Sequence, residues 1–222
     1  MQRPGLKDRA AAYAALGDPS RLAIIELLAH GDLASGELSA RLDLPTNLTA
    51  HHLHVLEQAG LIARRRSEGD GRRTYVTRTR ACNQLIGAGR TSRPNKVAFV
   101  CSQNSARSQL AEAYWRTVVD IPVVSGGTHP AARVHPGAVA VGRRHGLDLT
   151  TARPQLAADV LSGDELLIAV CDRAYEELAD EPLHWSIPDP SRTDEPRAFD
   201  TVYADITDRI ARLAASFQGA PS

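Results

Sequence analysis

The stretch Val97-Ala-Phe-Val-Cys101-Ser-Gln-Asn-Ser-Ala-Arg107-Ser108-Gln-Leu-Ala-Glu112 constrains this chain more than any other. Its apolar start reads as a short buried strand. The strand delivers a cysteine, five residues loop over, and an arginine opens a helix. In such an arrangement the backbone N–H groups of Ser102, Gln103, Asn104, Ser105, Ala106, Arg107 and Ser108 converge on one point and suit an oxyanion. The same positive end favours the reactive thiolate form of Cys101. Arg107 grips two anion oxygens in a fork. Asn104 tolerates left-handed backbone angles and can pin the loop, while the Ser108 hydroxyl can donate to the sulfur. Without the flanking strand and helix, the pair would read as a buried cysteine and a surface arginine.

The residues that follow alternate between strands and helices. Strands are predicted over 96–100, 123–125, 165–170 and 183–187. Helices are predicted from about Arg107 to Val119, His135 to His145 and Phe199 to Phe217, and Tyr175 to Ala179 reads as part of another. The helix from Phe199 carries Val202, Ile206, Ile210 and Leu213 along one stripe. This pattern implies an α/β domain with a parallel four-stranded sheet and helices on both faces.

The first part of the chain reads differently. Asp18-Pro19 is a helix start, followed by Leu22, Ile24, Ile25, Leu27 and Leu28, with Gly31 as the expected stop. A short helix opens at Ser35 or Gly36. After the turn Asp43-Leu-Pro45, a helix from about Thr46 to Gln58 is expected to turn Leu48, Leu53 and Leu56 inward. Two strands, 61–64 and 73–77, flank the polar loop Ser67-Glu-Gly-Asp-Gly71. Helix, turn, helix and hairpin make a winged helix-turn-helix of the α+β class. The stretch Gly87-Ala-Gly-Arg-Thr-Ser-Arg-Pro-Asn95 lacks apolar periodicity and reads as a linker. The expected division is a DNA-binding domain over 1–87, a linker over 88–95 and an anion-loop domain over 96–222.

Charge follows this division. Residues 1–95 hold 14 Lys/Arg and 9 Asp/Glu, and residues 96–222 hold 12 and 17, so a +5 half precedes a −5 half. A basic half suits a polyanion such as double-stranded DNA. On the recognition helix, Thr46, Asn47, Thr49, Ala50 and His51 are the candidates for base edges. Arg72 and Arg73, with Arg64, Arg65 and Arg66, crowd the wing, where guanidinium groups suit phosphates. The triplet His51, His52 and His54 points in different directions on a helix, so no metal site is expected. Three cysteines, Cys82, Cys101 and Cys171, form no disulfide framework and indicate a reducing, cytoplasmic setting. No membrane span and no secretory signal are expected.

Two segments, Ala15-Leu-Gly-Asp-Pro-Ser-Arg-Leu22 and Ala50-His-His-Leu-His-Val-Leu-Glu-Gln-Ala-Gly-Leu61, resemble the ArsR family of small winged-helix repressors. The resemblance covers about residues 8–80 and implies a symmetric homodimer with the second helix of the motif in the major groove. Many metalloid sensors of that family carry Cys-x-Cys where this chain has Ala34 and Gly36, so that inducer site is absent.

From about residue 96 to 218 the chain resembles the low-molecular-weight tyrosine phosphatase fold. Beyond the anion loop, the likeness rests on Ser125-Gly-Gly-Thr128 with His135-Pro136, on Cys171-Asp-Arg, and on Trp185-Ser-Ile-Pro-Asp189-Pro190. The resemblance implies that Asp189 faces Cys101 and protonates the leaving oxygen. The string from Asn104 to Glu112 is more similar to the arsenate-reductase branch, because the phosphatase branch usually places Pro after the Ser. Cys171 occupies the site of the reductases' resolving cysteine. Thioredoxin-coupled members carry a third cysteine where this chain has Leu178. Either a Cys101–Cys171 disulfide is reduced by a redoxin, or a small external thiol such as mycothiol or glutathione resolves the adduct. No bound cofactor is implied.

Three functions follow as expectations. The first is an arsenate reductase fused to an ArsR-type regulator. The second is a phosphatase-like enzyme acting on phosphate esters, with a DNA-binding appendage. The third is a repressor whose Cys101 site senses an oxyanion or arsenite without turnover.

Overall fold

The computed structural model describes residues 5–87, 89–179, 182–193, 195 and 197–217. The described residues form two compact units, one of residues 5–67 and 71–89, the other of residues 68–70 and 90 onward.

In the first unit the Asp18 side chain accepts from the Arg21 backbone N–H at 3.0 Å, with Pro19 at the first helical position, so α2 (Pro19–Leu27) starts where the Asp-Pro pair predicts. It ends before Gly31, because the Ala29 N–H bonds to the Glu26 carbonyl at 3.0 Å and tightens the last turn. Helix α3 (Ser35–Leu42) closes on Asp43, whose φ of 51° is left-handed, and α4 (Thr46–Gln58) follows. Strands β2 (Ile62–Arg66) and β3 (Thr74–Arg78) form the antiparallel wing. Three short or weakly patterned elements were not predicted: α1 (Leu6–Leu16), α5 (Arg80–Leu85) and β1 (Leu33–Ala34), which adds to β3 to give the order β1-β3-β2.

Leu53 and Leu56 are fully buried, but Leu48 is 38% exposed, contrary to expectation. Five residues of α-helix rotate a side chain by about 140°, so Leu48 lies across the helix from Leu53. Thr49, four residues from Leu53, takes the inward position instead. Ile24, Ile25, Leu38, Leu61 and Val76 complete this core.

The second unit is a parallel sheet in the order β5-β4-β6-β7. Its strands are β4 (Val97–Cys101), β5 (Val123–Gly127), β6 (Leu166–Ala169) and β7 (Leu183–His184); its helices are α6 (Arg107–Val118), α7 (Pro136–Arg144), α8 (Ala157–Val160), α9 (Asp172–Glu177) and α10 (Ala198–Ser216). Every residue of β4 is buried, as a central parallel strand requires. Phe99 packs against Trp115 and Trp185, with ring centroids 5.6 and 5.7 Å apart. Val202, Ile206, Ile210 and Leu213 of α10 are buried along the predicted stripe.

In this unit β7 and α9 both end earlier than expected. Strand β7 stops at His184, because the Ile187 N–H turns back to the Trp185 carbonyl at 2.8 Å and breaks the strand predicted over 183–187. Helix α9 starts at Asp172, because the Cys171 sulfur accepts from the Ala174 N–H at 3.4 Å and caps it; it ends at Glu177, short of Ala179. Within the stretch read as a linker, the Thr91 N–H donates to the Ser216 carbonyl at 3.3 Å and Arg93 donates to the Asp120 carbonyl at 2.6 Å. Residue 88 lies outside the described residues.

Candidate active site

The C-terminal ends of the two central strands place the chemistry. Val100 pairs with Ala169 across β4 and β6, so Cys101 and Cys171 leave adjacent strands at nearly the same level. This is where ligands collect on an open parallel sheet. Both thiols are free and almost fully buried.

Residues 102–106 loop from β4 to α6. The Asn104 N–H lies 3.2 Å from the Cys101 sulfur and the Ser108 hydroxyl lies 3.0 Å from it. Asn104 has a φ of 48°, the left-handed conformation that its sequence position suggested. Its side chain is fully used. The Nδ2 group donates to Ser108 at 2.9 Å and to Ser125 at 2.8 Å, while Oδ1 accepts from Gln109 Nε2 and the Gln155 N–H, both at 2.9 Å. The Ser125 hydroxyl in turn donates to Glu112. This chain of bonds has a direction. Ser125 spends its proton on Glu112 and so accepts from Asn104. Ser108 also accepts from Asn104, which leaves its own proton aimed at the Cys101 sulfur. Donors so placed can hydrogen-bond a sulfur that carries negative charge.

The loop closes down on the tip of β5. A Cβ at position 127 would sit 2.9 Å from both the Asn104 nitrogen and the Ser102 carbonyl oxygen, so only glycine fits there. Segment 128–135 then brackets the loop from outside: the N–H groups of His129, Ala131 and His135 donate to the carbonyls of Ser102, Gln103 and Ser105 at 2.7, 2.9 and 2.8 Å. The loop carbonyls are thereby engaged on the far side, away from the anion pocket.

Arg107 is 7% exposed. It donates to the Ile187 carbonyl at 2.9 Å and to Asp189 Oδ2 at 3.1 Å. Burial works against its charge, but Cys171, Cys101 and Asp189 outweigh that and hold it firmly cationic. Asp189 also accepts from the backbone and hydroxyl of Ser191. Burial opposes its ionisation, yet Arg107 and Ser191 hold its carboxyl below the ordinary carboxylate range. Asp189, expected to face Cys101 and protonate the leaving oxygen, is paired in the structure with Arg107. Ser102, Gln103, Arg107, Cys171 and Asp189 line one pocket.

The sequence reading missed a buried pair beside Cys171. His184 Nε2 lies 3.0 Å from Asp172 Oδ1, both residues are almost fully buried, and Tyr175 stacks on the imidazole at 4.1 Å. Burial raises the Asp172 carboxyl, but the bond from His184 wins and keeps it below the usual range. The signal was the His184-Trp185 step within an apolar segment, which read only as strand. The roles of Glu112, Ser125 and Gln109 were also missed, because nothing in their spacing shows that they converge on Asn104.

In the first unit, α4 exposes Thr46, Asn47, Ala50 and His51, and the wing exposes Arg72 and Arg73. Thr49 does not belong with them. It is 1% exposed, and its hydroxyl is buried without a partner among the described residues. Its place above Leu53 on the helix turns it into the core. Of the other wing arginines, Arg64 pairs with Glu57 at 3.1 Å and Arg66 bonds to the Gly71 carbonyl. Among the described residues no group of three or more His, Cys, Asp or Glu could hold a metal ion, and no helix is long and apolar enough to cross a membrane.

Residues 16–65 match the model of a helix-turn-helix domain, and residues 96–220 match that of low molecular weight phosphotyrosine protein phosphatases. The second part is similar to the arsenate reductase of Brevibacillus brevis, 29% identical over 126 residues, which span 53% of this chain and 92% of that protein. It is similar to the glutaredoxin arsenate reductase of Synechocystis, 29% identical over 131 residues, spanning 54% of this chain and 96% of that protein. Among solved structures, the arsenate reductase of Archaeoglobus fulgidus is 28% identical with a TM-score of 0.46, covering 54% of this chain and 98% of its own. The anion loop, its parallel sheet and the family match over more than half the residues lead to one assignment: the chain belongs to the low molecular weight phosphotyrosine protein phosphatase family, with a helix-turn-helix domain at its N-terminal side.

Proposed function

We propose that this protein reduces arsenate to arsenite through Cys101, and that its N-terminal unit binds DNA as an ArsR-type regulator. The observation that carries the first part is the cysteine sulfur held under the Asn104 N–H at 3.2 Å and the Ser108 hydroxyl at 3.0 Å, in a loop closed by Arg107. The Cys101 thiolate attacks arsenic. A sulfur–arsenic bond forms, one arsenic–oxygen bond breaks, and the oxygen leaves as water after taking up protons. Arg107 holds the remaining oxygens in its fork. A second thiol then attacks the Cys101 sulfur. A disulfide forms, and the sulfur–arsenic pair of electrons stays on arsenic. Arsenic gains two electrons and two thiols lose two.

Cleavage of a phosphate ester asks more of this site, because the leaving alkoxide needs a proton from a neutral acid. In the structure Asp189 is already paired with Arg107 at 3.1 Å, which favours the arsenate reading. For the resolving step, burial pushes the Cys171 thiol up against the pull of Arg107, which disfavours its attacking thiolate form. Its bond from the Ala174 N–H gives it a structural task as the cap of α9. The reductant is accordingly an external thiol, a redoxin or a small thiol such as mycothiol or glutathione. Thr46, Asn47, Ala50 and His51 would read base edges, Arg72 and Arg73 would hold phosphates, and a symmetric dimer would match a two-fold operator. The free state of all three cysteines fits a reducing, cytoplasmic setting.

The test is turnover by Cys171→Ser. Retained arsenite production with a small thiol supports the external route; loss of turnover with every reductant assigns the resolving step to Cys171.

A further inference from the structure

Three guanidinium groups line the pocket bounded by Ser102 and Gln103, next to Cys101, and by Cys171, and the oxyanion chemistry uses one of them. Arg107 is buried at its floor. Arg173 and Arg192 are exposed at its mouth, on two separate elements. Arg173 is the second residue of α9, two positions beyond Cys171, and Arg192 ends the short 3-10 turn Pro190–Arg192 that follows Asp189. Three acids line the same pocket and each already has a partner: Asp172 has His184 at 3.0 Å, Asp189 has Arg107 at 3.1 Å, and Glu68 accepts from the Asp189 N–H at 2.8 Å. The tetrahedral anion has its compensation below, from the loop N–H groups and Arg107. The rim cations are surplus to it.

We propose that Arg173 and Arg192 form a subsite for the carboxylates of an anionic peptide thiol, the co-substrate that resolves the Cys101 adduct. This rests on the reductase reading above. The incoming thiol must reach a sulfur that is itself 2% exposed, so it enters through this mouth with its sulfur leading and its polar body outside. A thiol of the glutathione class carries two carboxylates on flexible arms. Two arginines on opposite elements hold such arms apart and aim the sulfur inward. Exposed pairs of this kind contribute modestly one by one, so the effect belongs to both together. The step itself is the one already balanced: the thiol is oxidised to a mixed disulfide with Cys101 while arsenite leaves.

The experiment has two arms on the full chain. In the first, S-methylglutathione, which cannot react, is titrated into the wild type and into Arg173→Ala/Arg192→Ala by calorimetry. Binding that weakens at least about tenfold in the double variant, and that is lost when the ligand's carboxylates are esterified, is the expected result. Equal binding by both proteins, or no binding to the wild type at millimolar ligand, overturns the subsite. In the second, turnover at saturating arsenate is compared with glutathione and with uncharged dithiothreitol. The KM for glutathione should rise about tenfold in the double variant, with the dithiothreitol rate and the KM for arsenate within twofold of wild type. A rise in the arsenate KM with either thiol would show that the arginines steer the oxyanion, and a defect seen only with a redoxin would make the rim a protein contact; each contradicts the proposal. Absence of turnover with dithiothreitol would sink the reductase reading alone, since the titration still decides the subsite.

Discussion

A terminal nitrogen of Arg107 lies 3.1 Å from a carboxylate oxygen of Asp189, so the anion clamp and the expected acid are paired with each other. An acid held this way is protonated only well below neutral pH. Ester hydrolysis needs the protonated form, whose fraction falls tenfold per pH unit above the pKa. Hydrolysis of phenyl phosphate, whose phenolate is a poor leaving group, should therefore rise steadily as pH is lowered from 8 to 5. In Asp189→Asn that slope should disappear. A rate that instead peaks at neutral pH, with the peak lost in the variant, would show Asp189 acting as a neutral-range acid.

The directed bond chain ending on Cys101 makes a second prediction. Ser108→Ala removes the hydroxyl at 3.0 Å and should slow alkylation of Cys101 by iodoacetamide at pH 7, by about tenfold for a loss near 1.4 kcal/mol. Glu112→Gln should give a smaller slowing in the same direction, because it weakens the acceptor that orients Ser125 and Asn104. Alkylation rates unchanged in both variants would rule the chain out.

Asn104 has two separable tasks. Its left-handed φ costs a residue with a Cβ about 1–2 kcal/mol, and its amide holds four groups. Asn104→Gly keeps the backbone cheap and loses the amide; Asn104→Ala loses both. Thermal denaturation should place the alanine variant below the glycine variant, with both below wild type. The reverse order would show that the backbone conformation is not the constraint.

Glu165 anchors the turn before β6. Burial disfavours its charge, but the Ser162 hydroxyl and the N–H groups of Gly163 and Ser162 hold its pKa at about 2, against an ordinary 4.5. A depressed carboxyl contributes stability that is present above the unfolded value and is lost as pH falls through the folded one. Glu165→Gln should therefore lower the melting temperature at pH 7. The gap to wild type should narrow between pH 4.5 and 2. A gap independent of pH would assign the loss to packing.

On the DNA side, Thr49→Val should leave operator affinity unchanged and preserve or raise stability, because it replaces a buried hydroxyl without a partner among the described residues. Arg72→Ala and Arg73→Ala should each reduce the slope of log K against log salt by about 0.9. Gel-shift titrations over a salt series check both. A Thr49→Val protein that no longer discriminates its operator would return Thr49 to the interface.

Much of this was legible in the residues, and the exceptions share a cause. The run from Val97 to Arg107 names its own geometry, because a buried strand, a thiol and a helix-opening arginine leave the loop few shapes. The Asp18-Pro19 cap and the α10 stripe are local signals and appear where they were expected. Leu48 and Thr49 went wrong because apolarity was given more weight than helical phase. Strand β7 was overread because Ile187 is apolar yet turns its N–H back to the Trp185 carbonyl instead of continuing the ladder. The Asp172–His184 pair and the Glu112–Ser125–Asn104 chain join residues distant in sequence, and only the packed sheet brings them together.

The central claim is that Cys101 reduces arsenate, and arsenite release by the purified full chain tests it most directly. Arsenate would be supplied with a redoxin system and, separately, with small thiols, beside a Cys101→Ser control. The account predicts turnover with at least one reductant and none in the control. Tight arsenate binding without arsenite release under any reductant would contradict it and make the site a sensor.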